Sequence, residues 1–417
     1  MKLLLIHNQY QQPGGEDVVF QAERAMLTAA RHRVIPFVVH NDSIQASSAW
    51  ERVKLSAQTV WSRESYRETK ALLGRERPDV AHFHNTFPLI SPSAYYACRE
   101  AGVPVVQTLH NYRLLCPAAT FRQNGSICEK CVTGGLSNGV LHGCYRGSRA
   151  ATAASALMLG AHRWLGTWNE VVDCYIALTE FSRRKFVEGG LPAEKIVVKP
   201  NFVAPDPLLG CSGDVPIAES KIIDGGPRSD RGRRQPQLQE GYALYVGRLT
   251  YEKGVRTLLR AWRNTSIPLR VVGDGPLRQE LEDDASSHGL SQICFHGRLA
   301  SDELMPMMKG ARFLVLPSEW YESFPVTLAE AFACGVPLIA SRLGAMQEIV
   351  ADGRTGLHFT PGDADDLAAK VEWAWTHPEE MQAMGRAARA EYEAKYTAER
   401  NYDMLMGVYQ KVLQRAA

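Results

Sequence analysis

Two carboxylates, Glu322 and Glu330, lie eight positions apart where a predicted strand gives way to a predicted helix. Because they belong to different elements, they can accept hydrogen bonds from hydroxyls on different parts of one ligand. The helix is expected to begin near Phe324, Pro325 and Val326, where free backbone N–H groups attract an anion. The spacing therefore indicates a ligand with both phosphate and hydroxyl groups. For either glutamate alone, helix capping or a solvated charge remains the alternative.

Two cations, Arg248 and Lys253, follow the predicted strand Tyr242–Val246. Arginine can bind phosphate oxygens through two N–H groups, and lysine acts as a point charge. Gly247 and Gly254 let the backbone come close to a ligand. This turn is predicted to hold the anionic part of the ligand, the alternative being a turn with solvated cations.

The first half of the chain offers a second set of polar residues at predicted strand ends. Gly14 and Gly15 follow the first strand, but they do not form the Gly-x-Gly-x-x-Gly pattern of dinucleotide enzymes. His110 ends the strand Val105–Leu109 and is a candidate to hydrogen-bond a ligand. His82 and His84 end another strand, and we expect His82 to be a satisfied buried histidine. A flexible turn is the alternative for the two glycines.

Four cysteines are grouped between residues 116 and 144, with a Cys-x-x-Cys pair at the centre. Four thiolates could bind one structural Zn²⁺ and order a polar loop. The outer spacings do not match a familiar zinc finger, so a set of buried or free thiols is the alternative. The candidate ligands are Cys116, Cys128, Cys131 and Cys144.

Short apolar runs alternate with helical patterns along the chain, which is typical of doubly wound α/β domains with parallel sheets. Residues 1–203 are predicted to form one Rossmann-like domain and 241–397 a second, facing the first across a cleft. Residues 204–240 are rich in Pro, Gly, Arg and Asp and are predicted to be a linker or insertion. The helix at 398–417 is expected to pack back on the first domain.

The chain of 417 residues carries a net charge of only +2, which argues against a nucleic-acid binder. Residues 1–204 hold 23 basic and 16 acidic residues, a net of +7, whereas the remainder is acidic. The basic half suits an anionic partner such as a membrane surface, or it is an ordinary solvated surface. With no recognisable signal peptide, we expect the protein in the cytosol or at the inner face of the membrane.

The ordered set of motifs resembles the retaining family 4 glycosyltransferases of GT-B fold, strongly over 240–395 and more weakly over 1–203. It comprises Gly247-Arg248, Lys253-Gly254, Gly273-Asp-Gly-Pro276, Asp302-Glu-Leu304, Leu316-Pro-Ser318, Glu322…Glu330, Ala333-Cys-Gly-Val-Pro337 and Thr355-Gly356.

The resemblance implies a role for each site residue. Arg248 and Lys253 would hold the donor diphosphate, Glu322 the hydroxyls of the transferred sugar, and Glu330 the ribose. His110 would lie close to the transferred sugar, and the glycine loop would face the donor phosphates and the acceptor.

One departure concerns the segment after the first glutamate. The family often has Gly-Phe-Gly there, whereas this chain has Ser323-Phe324-Pro325. Proline has no N–H to donate, so the backbone contacts to the sugar are expected to differ.

The implied activity is transfer of a hexose, with retention, from a UDP- or GDP-linked sugar to a glycan or lipid-linked acceptor in cell-surface polysaccharide biosynthesis. No metal would be required for catalysis. Asp363-Ala-Asp365 resembles an Asp-x-Asp metal pair but is predicted to cap the following helix. Basic and aromatic residues on two helices fit a peripheral membrane contact or a solvated surface. The alternatives are a sugar-nucleotide epimerase of the same fold and a non-catalytic, zinc-stapled scaffold.

Overall fold

The computed structural model describes residues 1–11, 14–44, 48–209 and 241–416. It contains two six-stranded sheets, and every strand pair within them is parallel. The expected α/β class, with two doubly wound parallel sheets, is confirmed. The predicted linker or insertion at 204–240 lies mostly outside the described residues.

The first sheet has the strand order β2-β1-β3-β4-β7-β8, and β5 and β6 form a separate two-stranded hairpin. The strands are β1 (Lys2–Gln9), β2 (Arg33–His40), β3 (Val80–Asn85), β4 (Val105–Leu109), β5 (Arg122–Gln123), β6 (Ser126–Ile127), β7 (Cys174–Ala177) and β8 (Ile196–Val198). The accompanying helices are α1 (Gly15–Ala29), α2 (Ala49–Val60), α3 (Arg63–Glu76), α4 (Ser93–Glu100), α5 (Lys130–Thr133), α6 (Ser137–His142), α7 (Arg149–Trp164) and α8 (Glu180–Glu188).

The sequence pattern predicts one helix over 51–73, but the structure has two. Trp61 adopts an extended conformation, with φ of −147°, and ends α2. The Ser62 side chain then accepts a hydrogen bond from the Ser65 N–H and caps α3. A local capping residue therefore divides a region whose amphipathic pattern is continuous.

The second sheet has the order β11-β10-β9-β12-β13-β14. Its strands are β9 (Tyr242–Val246), β10 (Leu269–Val272), β11 (Ile293–Gly297), β12 (Ala311–Leu316), β13 (Leu338–Ser341) and β14 (Gly356–Phe359). The helices are α9 (Val255–Trp262), α10 (Arg278–Ser287), α11 (Ser301–Lys309), α12 (Val326–Ala333), α13 (Gly344–Ile349), α14 (Ala364–Thr376), α15 (Pro378–Lys395) and α16 (Ala398–Ala416).

The strand order reverses between β9 and β12 in the second sheet and between β1 and β3 in the first. The chain leaves the carboxyl ends of such strand pairs toward opposite faces of the sheet, and the crevice between them is where ligands bind in open α/β sheets. The loops that carry the candidate residues leave β1, β4, β9 and β12 at these edges.

The last helix, α16, lies on the first domain. Leu405, Val408 and Tyr409 are buried in a core shared with Leu3 and Leu5 of β1. At the other end of the same face, Asn401 of α16 donates to the Pro200 carbonyl. The chain therefore crosses between the domains twice, once after β8 and once before α16.

Candidate functional site

The loops after β9 and β12 bring Lys253 and Glu322 into contact. The Lys253 ammonium lies 2.6 Å from a Glu322 carboxylate oxygen, and the Ser318 hydroxyl donates to the same oxygen at 2.8 Å. Gly254 makes this approach feasible because a β-carbon there would lie 1.8 Å from the Pro317 carbonyl oxygen. Its φ of +67° also favours glycine.

The Glu322 carboxylate is buried but remains charged. Burial alone would raise its pKa, but the Lys253 ammonium and the hydrogen bonds from Lys253 and Ser318 hold that pKa below its usual value. An ionised carboxylate that is oriented by two neighbours is a strong acceptor for hydroxyl groups.

Loops from the two domains face each other across the cleft. A β-carbon built on Gly14 would lie 4.0 Å from an Arg248 guanidinium nitrogen, and one on Gly15 would lie 3.7 Å from Val326. Arg248 itself is exposed. The glycine loop, the first cation of the second domain and the start of α12 therefore line one space.

The beginning of α12 supplies the N–H groups expected from the sequence. Pro325 is the N-cap and the helix begins at Val326, so Pro325 lies one position before the predicted first turn. The N–H groups of Val326 and Thr327 fall in the first turn, where no carbonyl within the helix can accept from them. Phe324 is buried against Tyr396, with 5.6 Å between ring centroids, which anchors this end of the helix.

Glu330 lies one turn further along α12 and is partly buried. Burial raises the pKa of its carboxyl to about 7. Across the described ranges its carboxylate makes no hydrogen bond or ion pair, unlike Glu322. Glu330 is therefore available to a ligand and has a proton to exchange near neutral pH.

His110, after β4, lies at the end of a buried chain of polar groups. Its Nε2 is 3.0 Å from Nδ1 of His84. His84 Nε2 lies 3.0 Å from Glu23 Oε2, a contact that lacks hydrogen-bond alignment. The other Glu23 oxygen accepts from Lys199 at 2.8 Å, and Lys199 also donates to Asn401 at 2.9 Å.

The charges along this chain are set by burial and by the ion pair. Burial, followed by the neighbouring His84, holds the pKa of His110 well below its usual value, so His110 is neutral. Burial would raise the pKa of Glu23, but Lys199 and His84 hold it well below the usual value. The ligand atoms of Glu23, His82 and His84 lie within 4.8 Å of one another. The Lys199 ammonium already supplies a cation there.

Several site residues carried no signal in the sequence. Glu23 and Lys199 fall in ordinary helix and linker positions, and only the fold brings them together. Asp17 accepts from the Gly14 N–H at 2.6 Å and contacts His7 at 2.8 Å, which fixes the glycine loop. Asp17 lies three residues after Gly14, the spacing at which a carboxylate in the first turn accepts from the N-cap N–H, and this spacing could have been recognised.

Two further expectations from the sequence are confirmed. Both ring nitrogens of His82 have partners, Tyr409 at 2.8 Å and Thr108 at 2.7 Å, so His82 is a satisfied buried histidine. Asp363 caps α14 by accepting from the N–H groups of Asp365 and Asp366.

The first domain also holds two pockets near these residues. One borders His110 and is lined by Phe87, Asn111 and Arg113 among others. The Arg113 guanidinium lies 4.1 Å from the centre of the Phe87 ring. The other is a small cavity lined by all four candidate zinc ligands, namely Cys116, Cys128, Cys131 and Cys144.

Two family descriptions match the chain, one to each domain. Residues 14–201 match the "Glycosyl transferase 4-like domain" and residues 228–391 match "Glycosyl transferases group 1".

The curated relatives match over part of their length. The chain is 32% identical over 180 residues to D-rhamnosyltransferase WbpZ of Pseudomonas aeruginosa, covering 42% of this chain and 47% of that protein. It is 34% identical over 235 residues to glycogen synthase of Mycobacterium tuberculosis, covering 51% of this chain and 56% of that protein. The chain thus spans about half the length of the curated relatives it matches.

Solved structures match over nearly the whole chain. Sucrose-phosphate synthase from Thermosynechococcus elongatus superposes with a TM-score of 0.68 at 19% identity, covering 99% of both chains. Anabaena Alr3699/HepE in complex with UDP superposes with a TM-score of 0.64 at 18% identity, covering 99% of this chain and all of that one. At these identities the likeness establishes the GT-B fold. Taken with the family matches in both domains, the comparisons show that the chain belongs to the group 1, family 4-like glycosyltransferases.

Proposed function

We propose that the protein transfers a hexosyl unit, with retention, from a UDP- or GDP-linked sugar to a glycan or lipid-linked acceptor in cell-surface polysaccharide biosynthesis. The observation that carries the proposal is the convergence of Arg248, the Lys253–Glu322 pair and the start of α12 opposite Gly14 and Gly15. D-rhamnosyltransferase WbpZ and an Escherichia coli O-antigen chain mannosyltransferase, among the relatives, are named for comparable activities.

The diphosphate would lie between Arg248, Lys253 and the first turn of α12. Lys253 has two N–H groups left beyond the one directed at Glu322, and Arg248 is exposed toward the glycine loop. The helix N-terminus adds a favourable field for an anion. The complex of HepE with UDP supports a nucleoside diphosphate as the ligand of this fold.

The sugar would lie between Glu322 and His110. Glu322 would accept hydrogen bonds from hydroxyls of the transferred sugar, and neutral His110 would contact it from the first domain. In the transfer step, the bond from the anomeric carbon to the diphosphate oxygen breaks and a bond to the acceptor oxygen forms on the same face. The acceptor proton passes to the departing diphosphate, whose negative charge Arg248 and Lys253 stabilise.

The nucleoside would lie against Glu330, whose free carboxylate would accept from the ribose hydroxyls. The acceptor would enter beside the pocket that borders His110, where Asn111 and Arg113 offer hydrogen-bond donors. Donor binding and sugar transfer, as proposed, use no metal ion, because cationic side chains of the protein face the diphosphate.

We also propose that α2 and α7 rest on the inner face of the membrane. They pack against each other and expose large apolar side chains, with Trp50 75%, Leu157 63% and Trp164 86% exposed. Arg52 and Lys54 of α2 add positive charge. Tryptophans beside basic residues suit a lipid headgroup layer. Within the described ranges, none of the helices combines the length and hydropathy that a bilayer span requires.

The proposal is tested by calorimetric titration of the wild type with UDP and with GDP. We expect one of the two nucleotides to bind, and Arg248→Ala to abolish that binding. Arg263→Ala is the matched control, because Arg263 pairs with Asp284 on the outer surface of the same domain. Absence of binding by either nucleotide would remove the donor site and favour the scaffold alternative.

A further inference from the structure

The four cysteines of the first domain line a single small cavity. We call Cys116, Cys128, Cys131 and Cys144 the cysteine cluster. The free space of the cavity is ≈ 10 Å³, about the volume needed for one water-sized sphere. All four thiols are free of disulfides. A space of this size, surrounded by four sulfur-bearing side chains, suits one metal ion.

The cluster joins pieces of chain that have little regular structure of their own. Cys116 lies in a turn after β4, Cys128 follows the hairpin of β5 and β6, Cys131 lies in α5, and Cys144 follows α6. The hairpin strands have 2 residues each and α5 has 4. Elements this short are not stable alone in water, so a cross-link among them would contribute directly to folding.

Arg122 and Gly139 also border the cavity. Arg122 lines it, and the Arg122 Nε is buried without a hydrogen-bond partner in the part of the chain that the structure describes. A β-carbon on Gly139 would lie 3.2 Å from the Cys131 sulfur, so glycine permits the close approach. A cationic group beside metal-bound thiolates offsets part of their charge.

The four sulfur atoms do not lie as close together as in a metal-bound site. Among the described residues, Glu23, His82 and His84 form the group with three ligand atoms mutually within 4.8 Å, and the cysteine cluster does not reach that spacing. Binding of one ion therefore requires the thiol side chains to turn inward toward the cavity.

We propose that the cysteine cluster binds one Zn²⁺ with tetrahedral geometry. Each of the four thiols releases its proton to solvent and forms one Zn–S bond, and the zinc–tetrathiolate unit carries a charge of about −2, which Arg122 partly offsets. The ion is structural, because four protein ligands leave no coordination position for a substrate.

The zinc-bound segment also supports the wall of the donor cleft. Phe121, beside the hairpin, packs against Tyr321 with 6.1 Å between ring centroids. Glu129, between Cys128 and Cys131, pairs with Lys185 at 3.0 Å, and the Lys185 ammonium lies 5.9 Å from the centre of the Tyr321 ring. Because Tyr321 precedes Glu322, loss of the ion is expected to loosen the loop that carries that carboxylate.

The test is the metal content of the full chain, purified without chelator and measured by inductively coupled plasma mass spectrometry. We expect about one zinc per chain in the wild type, the same in Cys294→Ser, and none in Cys131→Ser. Cys294 is the matched control because its thiol is exposed on β11 of the other domain. Zinc at background level in the wild type, or zinc that is retained in Cys131→Ser, would overturn the proposal.

A second measurement applies if Cys131→Ser fails to fold. The reduced, metal-stripped wild type is titrated with Co²⁺ and its absorption spectrum recorded. Binding at the cluster would produce thiolate-to-cobalt charge-transfer bands and tetrahedral d–d bands, and Zn²⁺ would then displace the cobalt. A spectrum without thiolate bands contradicts the proposal, whatever the activity of the enzyme.

Discussion

The Lys253 ammonium and the Glu322 carboxylate lie 2.6 Å apart, so the cation expected at the diphosphate also orients the acceptor expected at the sugar. A single ion pair would thus contact both the diphosphate and the sugar of the donor. Ser318 completes the arrangement by donating to the same carboxylate oxygen.

Replacing Glu322 by glutamine should separate catalysis from nucleotide binding. We expect turnover to fall by about 10²–10³-fold, the usual effect of removing one preorganised polar group at the reacting centre. Affinity for the nucleoside diphosphate should change little, because in the proposed complex Glu322 contacts the sugar. Steady-state kinetics and calorimetry measure the two effects, and Glu319→Gln, in the same loop, is the control. A Glu322→Gln variant that binds the nucleotide more weakly but keeps wild-type turnover would contradict the assignment of Glu322 to the sugar.

The same ion pair predicts how turnover depends on pH. In Lys253→Met the burial of Glu322 remains while the ammonium is lost, so the pKa of the Glu322 carboxyl should rise. On acidification the Glu322 carboxylate would then become protonated at a higher pH than in the wild type. The acidic limb of the turnover profile should therefore shift to higher pH. An acidic limb at the same pH in both proteins would show that it reports another group.

Glu330 predicts a proton-linked step in nucleotide binding. Its pKa of about 7 in the free protein means that part of the population is protonated near neutrality. Ribose hydroxyls that donate to the carboxylate favour the charged form, so affinity should increase as pH rises through about 7. Calorimetry in buffers of different ionisation enthalpy would detect the released proton, and Glu330→Gln should abolish the release. A wild-type affinity independent of pH between 6 and 8 would argue against this contact.

The contribution of Glu330 to the stability of the fold should decrease as pH rises, whereas its contribution to nucleotide affinity should increase. Because the folded-state pKa of Glu330 lies above its unfolded value, its contribution is fully present below about pH 4.5 and is lost as pH rises through about 7. Glu330→Gln should therefore raise the melting temperature relative to the wild type at pH 8 and much less at pH 5. Differential scanning calorimetry at the two pH values makes the comparison.

Gly254 allows a test of whether its turn positions Lys253, with Gly289 as a control of similar φ. Gly254→Ala should weaken nucleotide binding, because its β-carbon would displace the Lys253 turn from Pro317. Gly289 has φ of +65° against +67° for Gly254, but a β-carbon on Gly289 meets nothing within 4 Å. Both alanine variants should lose about 1–2 kcal/mol from left-handed strain, and only Gly254→Ala should bind nucleotide more weakly. Similar affinities in the two variants would mean that the turn does not position Lys253.

The two exposed tryptophans test the membrane surface. Trp50→Ala with Trp164→Ala should reduce cosedimentation with vesicles that contain anionic lipid, since both side chains would leave the headgroup layer. Met404→Ala, on the exposed side of α16, is the control and should bind vesicles like the wild type. Equal binding by all three proteins would place the contact elsewhere.

The part of the site that holds Arg248 and Glu322 was predictable because its residues occupy loops directly after strands, where local patterns carry the information. Arg248, Glu322 and the start of α12 follow from strand ends and a helix start. The partnership of Glu23 with Lys199 joins residues 176 positions apart and depends on tertiary packing alone. The strand β14 was missed because its sequence, Gly-Leu-His-Phe, has no β-branched residue and no continuous apolar run, unlike the equally short β10.

The Glu23–Lys199 pair predicts a large effect far from the cleft. Both side chains are almost fully buried, with exposures of 1% and 2%, so removing either leaves an uncompensated charge out of contact with water. Lys199→Met should cost about 3–5 kcal/mol of stability, and the double variant Glu23→Gln with Lys199→Met should recover part of that loss. Lys70→Met, which breaks an exposed pair with Glu100, should have little effect.

Because Glu23 also contacts His84, which holds His110, the two Lys199 variants should differ in catalysis as well. An unpaired Glu23 carboxylate would favour a charged His84 and so alter the hydrogen bond to His110. We therefore expect Lys199→Met to lower turnover at conditions where it is still folded, while nucleotide affinity, which the proposal assigns chiefly to Arg248 and Lys253 of the other domain, is kept. Denaturant titration would measure the stability of the variant, and turnover would be measured on the same samples. A variant that loses stability with unchanged turnover would restrict the buried chain to a structural role.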